Sequence, residues 1–244
     1  MHTSTKDTRK RVLLTGANRG LGLALATRLL ARGDRVLATC RAPAAADALD
    51  ALRDAHPDHC HIVALDVAAA DAPVRLADAA RAWLAADSDA ARIDLLVNNA
   101  GVLKAGERFG GIDGEDVATS VRVNAVAPLL LTQALAPLLA DGARVANISS
   151  QLGAIGGVTR FGTPSYAIGK AAQNMATAQL AQALGGRGII VLALHPGWVR
   201  TDMGGTDAPL APEAAAAGVL EVIDGSDDAD NGSFRDWKGD AMQW

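Results

Sequence analysis

The single tyrosine of this chain lies four residues before a lysine, and this pair could perform acid–base chemistry. Residues at i and i+4 share one face of a helix, so Tyr166 and Lys170 can present their polar groups to one site. Thr163 and Pro164 predict the helix start, with threonine as N-cap and proline in the first turn. The helix dipole and the ammonium group should both lower the phenol pKa from its usual value of about 10. A tyrosine with an unrelated surface neighbour is the alternative.

A glycine-rich segment could bind the phosphates of a dinucleotide. Gly16, Gly20 and Gly22 follow an apolar run with the spacing G-x-x-x-G-x-G. The first glycine permits a tight turn, the second lets backbone N–H groups approach a pyrophosphate, and the third lets helix and strand pack closely. The helix N-terminus adds donors and a partial positive charge. An ordinary strand-to-helix turn is the alternative.

Two arginines near this segment favour NADP(H) over NAD(H). An NAD site normally has an acidic residue at the end of the second strand, where it accepts hydrogen bonds from the adenosine ribose. Here that strand ends in Thr39, Cys40 and Arg41, and Arg19 lies in the glycine segment. Guanidinium groups hold a 2′-phosphate through charge-assisted bonds, so we expect both arginines to bind it. Solvated loop charges are the alternative.

Short apolar runs that alternate with alanine-rich helical segments must position these groups. The runs are continuously apolar, which indicates parallel strands buried on both faces, and repeated β–α units form an α/β doubly wound sheet with helices on both sides. We expect one domain over residues 1–244, with a flexible N-terminus at 1–9 and a substrate loop and C-terminal strand within 200–244. The predicted strands cover residues 12–15, 35–39, 61–67, 93–97, 143–148, 189–194 and 233–238. The predicted helices follow the glycine segment to residue 32, follow residue 43, and cover residues 73–86, 113–140, 164–185 and 213–222.

Composition narrows the class of protein. The chain has 244 residues, of which 50% are hydrophobic, enough for one domain with a large core. A net charge of −4 disfavours nucleic acid as a partner. The chain has no continuous apolar stretch of about 18 residues and its first residues are polar, so we expect neither a membrane span nor a secretory signal. Cys40 and Cys60 cannot build a disulfide framework, which predicts a cytoplasmic location.

The chain resembles the short-chain dehydrogenase/reductase family, in its single-domain branch, from about residue 10 to residue 203. It is also similar to the carbonyl-reductase-like subgroup that includes the bacterial C-factor proteins, through Cys40–Arg41, Pro196–Met203 and a tryptophan-rich tail. The segments that carry the family resemblance are Thr15–Gly22, Asn98–Gly101, Asn124, Ser149–Ser150, Tyr166 with Lys170, and Pro196–Gly197. The resemblance implies a seven-stranded parallel Rossmann sheet.

The resemblance also implies roles for individual residues. Tyr166 would be the general acid–base and Lys170 would hold the nicotinamide ribose and lower the tyrosine pKa. Ser150 would orient the carbonyl, and it is chosen over Ser149 because the family serine usually stands three residues before a glycine. Asn124 would organise a water that links the lysine to solvent. The implied cofactor residues are Asp66 and Val67 at the adenine, Asn98 below the adenosine, Val199 and Thr201 at the carboxamide, and Asn18 and Leu21 in the glycine segment.

The segment between the serine and the tyrosine departs from the family pattern. Gln151–Ser165 is a few residues longer than usual, is rich in glycine and carries Arg160 and Phe161. We interpret it as a wall of the substrate pocket, with a plain surface loop as the alternative. The resemblance also suggests a homodimer or homotetramer that forms through the helices bearing Asn124 and Tyr166.

The histidines of the chain do not indicate a further functional site. His56, His59, Cys60 and His61 lack the partner pair that a metal site needs, so we expect no metal. His195 is interpreted as a packed, hydrogen-bonded histidine.

The pattern as a whole predicts an NADPH-dependent oxidoreductase that reduces a small ketone or aldehyde to an alcohol. One alternative is a non-catalytic NADP(H)-binding regulatory protein of the same fold. Another is a nucleotide-sugar epimerase or dehydratase, which the short tail after Pro196 disfavours because it leaves little room for a substrate domain.

Overall fold

The computed structural model describes residues 9–87 and 91–244, which form the predicted seven-stranded parallel sheet with helices on both faces. The strand order is β3-β2-β1-β4-β5-β6-β7, and every pair is parallel. The strands are β1 (Arg11–Thr15), β2 (Arg35–Cys40), β3 (Cys60–Ala64), β4 (Ile93–Asn98), β5 (Leu139–Ile148), β6 (Ile190–His195) and β7 (Phe234–Asp236). The helices are α1 (Gly20–Ala31), α2 (Asp47–Ala55), α3 (Ala72–Ala85), α4 (Gly114–Val121), α5 (Ala127–Leu135), α6 (Pro164–Leu184) and α7 (Pro212–Gly225). Residues 1–8 of the predicted N-terminal segment lie outside the described residues.

Two hydrophobic clusters, one on each face of the sheet, explain why the strand sequences do not alternate. Side chains point to opposite faces in turn along a strand. On β1, Val12 and Leu14 pack in the cluster that contains α1 and α7, whereas Leu13 packs in the cluster that contains α3, α5 and α6. All three are fully buried. Both faces of the strand therefore require apolar residues.

The strand order creates a crevice at one edge of the sheet. The chain moves outward from β1 to β2 and β3, then returns to the other side of β1 with β4, and ligands of doubly wound sheets bind at such a reversal, outside the carboxyl ends of the strands. Strand β3 ends at Ala64 instead of residue 67 as predicted, so Asp66 and Val67 lie beyond the strand and at this edge. The Asp66 carboxylate accepts a hydrogen bond from the backbone of Ala68 at 3.0 Å, which starts a turn there.

The region predicted as one helix over residues 113–140 is interrupted. Helix α4 ends at Val121, a π-helical segment covers Arg122–Val126, and α5 follows. The predicted helix also extends past the true end of the helical region, because β5 already begins at Leu139. The combined run Gly114–Leu138 is long and apolar enough to cross a membrane by length and composition alone. This run packs against α6 and α3, and buried core helices can meet the same criterion of length and hydropathy.

Candidate active site

A cavity of about 690 Å³ lies along the carboxyl edge of the sheet. Its walls come from the segments that follow six of the strands, β1 to β6. Fourteen of the sixteen predicted site residues line it: Gly16, Asn18, Arg19, Gly20, Leu21, Gly22, Arg41, Asp66, Val67, Ser150, Tyr166, Lys170, Val199 and Thr201. Asn98 and Asn124 do not line it.

Close backbone contacts hold the glycine turn against the neighbouring strand. Gly16 has a φ of +68°, which favours glycine. A Cβ on Gly22 would lie 2.0 Å from the Gly16 carbonyl oxygen, so no side chain fits there. The Asn99 side-chain amide donates to the carbonyl oxygens of Thr15 and Gly16, at 3.0 and 2.9 Å. The turn is therefore fixed in position before any ligand is considered.

The N-terminus of α1 is left open for an anion. Arg19 occupies the N-cap position, but no side chain caps this helix and its first turn holds no acidic residue. The free N–H groups and the positive end of the helix dipole point into the cavity lined by Gly20 and Leu21. This arrangement suits a phosphate group.

The two arginines expected at the 2′-phosphate differ in their surroundings. The Arg19 guanidinium donates to the Asp202 carboxylate at 2.8 Å, and both side chains are exposed. Arg41 lines the same cavity and has no ion pair or side-chain hydrogen bond within the described residues. Arg41 is thus the guanidinium that is available to a further anion, whereas Arg19 already has a partner.

Tyr166 lies in the first turn of α6, as predicted, but its pKa moves in the opposite direction. The side chain is buried, and burial raises the pKa of Tyr166 to about 12, because a phenolate loses solvation there. A hydrogen bond with Ser150 lowers the pKa and only partly offsets this effect. Our expectation of a lowered pKa was wrong, since it considered the helix and the lysine but not desolvation. The phenol is therefore protonated at neutral pH.

Lys170 is buried one turn further along α6. Its Nζ lies 5.6 Å from the centre of the Tyr166 ring and donates to the Ile148 carbonyl at 2.6 Å and to Gln173 Oε1 at 2.9 Å. Burial lowers the pKa of Lys170 to about 7, because the ammonium form loses solvation. At neutral pH the amine therefore exchanges readily between its charged and neutral forms.

The two adjacent serines have separate roles. The Ser149 hydroxyl is buried and donates to Asn174 Oδ1 at 2.6 Å. Ser150 lines the cavity, is hydrogen-bonded to Tyr166 and accepts from the Leu152 backbone at 3.1 Å. Both serines line the cavity, but only Ser150 is hydrogen-bonded to the phenol among the described residues, whereas the Ser149 hydroxyl is used by Asn174.

Asn124 supports the site from outside the cavity. Its side chain lies in the π-helical segment and is fully buried. The amide donates to the Val102 carbonyl and to Ser120 Oγ, and its oxygen accepts from the Val102 backbone, each at 2.9 Å. Both amide protons and one lone pair of the oxygen are used in this way, so the side chain clamps the segment after β4.

The Asn98 side chain does not line the cavity, so the structure gives no support to its expected place below the adenosine. The pleat of β4 directs its side chain inward, where it is 1% exposed and donates to Asn147 Oδ1 at 2.8 Å and Thr132 Oγ1 at 3.1 Å. The neighbouring Asn99 lines the cavity instead. The sequence contained both asparagines, but only the strand end decides which one faces the ligand.

Glu107 is a residue that the sequence argument missed. Thr163 has a left-handed φ of 42° and does not cap α6 with its side chain. The Glu107 carboxylate does so instead, since it accepts from the Ser165 backbone N–H at 3.2 Å and from the Ser165 hydroxyl. Ser165 directly precedes Tyr166, so a loop after β4 fixes the start of the helix that carries the phenol. No local pattern signals a contact between positions so far apart in sequence.

The long segment after Ser150 forms a wall of the cavity, as interpreted. Gln151, Leu152 and Arg160 line it. A Cβ on Gly153 would lie 2.7 Å from the Lys170 backbone, so the segment presses directly on α6. Its position is therefore coupled to the helix of Tyr166 and Lys170.

Two further polar features of the sequence can be placed in the structure. No group of three metal-ligating side chains occurs among the described residues. His195 lines the cavity and burial lowers its pKa, but the buried Nδ1 has no partner there, so the expected hydrogen bond is not seen at that atom.

Comparisons with known proteins agree with this geometry. The family model described as short chain dehydrogenase matches residues 10–209. The C-signal protein of Myxococcus xanthus is 40% identical over 62% of this chain and 93% of its own length. The 1-hydroxy-2-glutathionyl-2-methyl-3-butene dehydrogenase of a Rhodococcus strain is 32% identical over 96% of this chain and 99% of its own. The NADPH-bound carbonyl reductase from chicken fatty liver superposes with a TM-score of 0.90, at 35% identity over 97% of this chain and 99% of its own.

Proposed function

The chain belongs to the short-chain dehydrogenase/reductase family of oxidoreductases, and from this membership we propose that it reduces a ketone or aldehyde to an alcohol with NADPH. The observation that carries the proposal is a buried, protonated phenol, Tyr166, hydrogen-bonded to Ser150 in the same cavity as an open glycine turn. A general acid beside a dinucleotide cleft is what a carbonyl reduction needs.

The residues of the cavity fit a nicotinamide dinucleotide. The glycine turn and the uncapped N-terminus of α1 would hold the pyrophosphate, and Asp66 and Val67 would contact the adenine. Tyr166 and Lys170 would hold the nicotinamide ribose. Val199 and Thr201 of the segment after β6 would contact the carboxamide.

The preference for NADPH rests on Arg41. This guanidinium follows β2, where an NAD site would have a carboxylate, and it has no partner within the described residues. It would hold the 2′-phosphate, joined by Arg19 if that residue releases or shares Asp202. The solved relative from chicken is itself NADPH-bound.

The chain's own residues would donate the proton to the substrate and replace it afterwards. When bound, the cofactor supplies the hydride that adds to the carbonyl carbon. Tyr166 donates its proton to the carbonyl oxygen, and Ser150 donates a hydrogen bond to the same oxygen. Both groups are preorganised around the developing alkoxide, which stabilises the transition state more than the ground state. Lys170, with a pKa of about 7, can then take part in returning a proton to the phenolate.

The experiment is a screen of aldehydes and ketones with purified protein, in which oxidation of NADPH and of NADH is followed. We expect turnover of a subset of the carbonyls and a higher kcat/KM for NADPH. Tight NADPH binding without oxidation across the panel would contradict the proposed activity and favour the regulatory alternative. Equal use of NADH would contradict the assignment of Arg41.

We also propose that the protein is a homodimer or homotetramer through α5 and α6. Large apolar side chains are exposed near and along these helices, at Val126, Leu130, Ile168 and Met175. Ile168 and Met175 are seven residues apart and so share one face of α6. Light scattering should give at least twice the mass of the chain, and Met175→Glu should lower it. A monomeric wild-type protein would contradict this proposal.

A cytoplasmic location is proposed on the state of the cysteines. Cys40 and Cys60 are both buried and unpaired. Free thiols are typical of reducing compartments. Recovery of the protein in a soluble cell fraction supports the proposal, and recovery outside the cell contradicts it.

A further inference from the structure

Among the charged side chains that line the cavity, two guanidinium groups have no partner within residues 9–87 and 91–244. Arg19 is paired with Asp202, and the Asp66 carboxylate accepts a backbone hydrogen bond. Arg41 and Arg160 line the cavity, and neither has an ion pair or a side-chain hydrogen bond to any residue in the part of the chain that the structure describes. The cavity therefore offers two positive charges that could bind anionic groups of its ligands.

The two free guanidinium groups belong to different regions of the cavity. Arg41 follows β2, and Arg160 lies between β5 and α6. Strands β1 and β4 separate β2 from β5, so the carboxyl ends of β2 and β5 are three strand spacings, or about 14 Å, apart. Arg41 accounts for the 2′-phosphate of the proposed cofactor. Arg160 instead lies in the segment that joins Ser150 to Tyr166, where the carbonyl would be reduced.

Aromatic and backbone contacts anchor the segment that carries Arg160. Phe161, the next residue, packs edge-on against Phe109 with ring centres 5.9 Å apart. Earlier in the segment, the Gly156 N–H donates to the Trp244 carbonyl at 3.2 Å. The guanidinium is therefore carried by a wall that is attached at both ends, to the loop after β4 and to the residues after β7.

Apolar side chains also line the cavity. Leu152, Trp198 and Met203 line it and are 42%, 54% and 45% exposed. The Trp198 indole N–H donates to the Gly204 carbonyl at 2.8 Å, so the one polar atom of the ring already has a partner. A ligand with an apolar body and one anionic group would match this combination.

We propose that Arg160 is a specificity-determining residue that binds a carboxylate of the substrate, so that the preferred substrates are aromatic or branched aldehydes and ketones that carry a carboxylate. This inference rests on the proposed reductase activity for its kinetic consequence. The carboxylate would accept charge-assisted hydrogen bonds from the guanidinium while the apolar body packs on Leu152, Trp198 and Met203. The carbonyl would then reach Tyr166 and Ser150.

The test compares two substrates that differ only in charge, 4-formylbenzoate and methyl 4-formylbenzoate. We expect wild-type protein to reduce the carboxylate at least tenfold more efficiently in kcat/KM, mainly through a lower KM, as one charge-assisted contact would give. Arg160→Gln should abolish this preference by lowering kcat/KM for the carboxylate far more than for the neutral ester, and it should leave the Kd for NADPH unchanged. Arg108→Gln is the matched control, because Arg108 is exposed on the neighbouring loop and does not line the cavity.

Several outcomes would overturn the assignment. The wild-type protein could show no preference for the carboxylate, or the preference could survive Arg160→Gln. The variant could lose kcat/KM equally for both substrates, or its Kd for NADPH could rise, which would place Arg160 at the cofactor.

A binding experiment separates this inference from the reductase proposal. Calorimetry with 4-hydroxymethylbenzoate and NADP⁺ should show binding that Arg160→Gln weakens about tenfold even if no carbonyl is turned over. Equal binding by the wild-type protein and Arg160→Gln would contradict the carboxylate site at Arg160 and would leave the reductase proposal standing.

Discussion

Removal of the Glu107 carboxylate should loosen the helix that carries Tyr166, by an amount that the contacts allow us to estimate. Ser165 is 0% exposed, and both its N–H and its hydroxyl use this carboxylate as acceptor. Loss of a helix cap costs about 1 kcal/mol, and a buried hydroxyl left without a partner costs about 1–3 kcal/mol. Glu107 is only half-buried, so relief of its own desolvation and entry of water offset part of the sum. Glu107→Ala should therefore lower the free energy of unfolding by about 2 kcal/mol.

Urea unfolding measures this loss directly, and thermal unfolding should show a fall in Tm of about 4–8 °C for a chain of this size. Glu107→Gln keeps an acceptor and should cost less. Glu115→Ala is the matched control, because the exposed Glu115 carboxylate accepts only a 3.4 Å contact from Thr119. We expect that change to remain within about 0.5 kcal/mol.

A double-mutant cycle isolates the contact itself. If Glu107 acts on Ser165, the effects of Glu107→Ala and Ser165→Ala should not add, and the coupling should reach at least about 1 kcal/mol. The same variants should lower kcat for any substrate that the wild-type protein reduces, since Ser165 directly precedes Tyr166. Additive effects, or a Glu107→Ala protein as stable as the Glu115→Ala protein, would refute the reasoning.

Three further predictions concern the cofactor turn and the buried pair. Gly22→Ala should abolish NADPH binding in titrations, because the added Cβ meets the Gly16 carbonyl at 2.0 Å; unchanged binding would contradict the packing. Arg41→Gln should raise KM for NADPH about tenfold and leave KM for NADH unchanged, and equal effects on both would contradict its role. Burial lowers the pKa of Lys170 to about 7 in the folded protein, from the ordinary value of 10.5. Between pH 7 and pH 10.5 the unfolded state therefore binds more protons than the folded state. The free energy of unfolding of the wild-type protein should rise there by up to about 1.4 kcal/mol per pH unit. The pKa of Tyr166 is raised to about 12 in the folded protein, from 10, so this residue should lower the free energy of unfolding as the pH rises from 10 to 12. Lys170→Met should remove the rise in stability between pH 7 and pH 10.5, and Tyr166→Phe should remove the fall between pH 10 and pH 12. An unchanged dependence of stability on pH in these variants would contradict the assignment.

Local sequence patterns were enough to predict the parts of the molecule that depend on neighbours along the chain. The continuous apolar runs predicted the parallel sheet, because β1 must bury Val12, Leu13 and Leu14 on both faces. The spacing of Tyr166 and Lys170 predicted a shared helix face, which the 5.6 Å separation matches. These features follow from periodicity alone.

Contacts between distant segments could not be predicted in the same way. The Glu107 cap joins positions far apart in sequence, and Thr163 offered a plausible local alternative. The choice between Asn98 and Asn99 depends on where β4 ends to within one residue. The direction of the Tyr166 pKa depends on how deeply the tertiary structure buries the ring. Each outcome is set by packing rather than by propensity.

The most direct test of the account is the turnover of Tyr166→Phe with a carbonyl that the wild-type protein reduces, measured beside its Kd for NADPH. If the phenol is the proton donor, kcat should fall about 100- to 10,000-fold while the Kd for NADPH stays within a few-fold of the wild-type value. A Tyr166→Phe protein that retains full turnover would contradict the account.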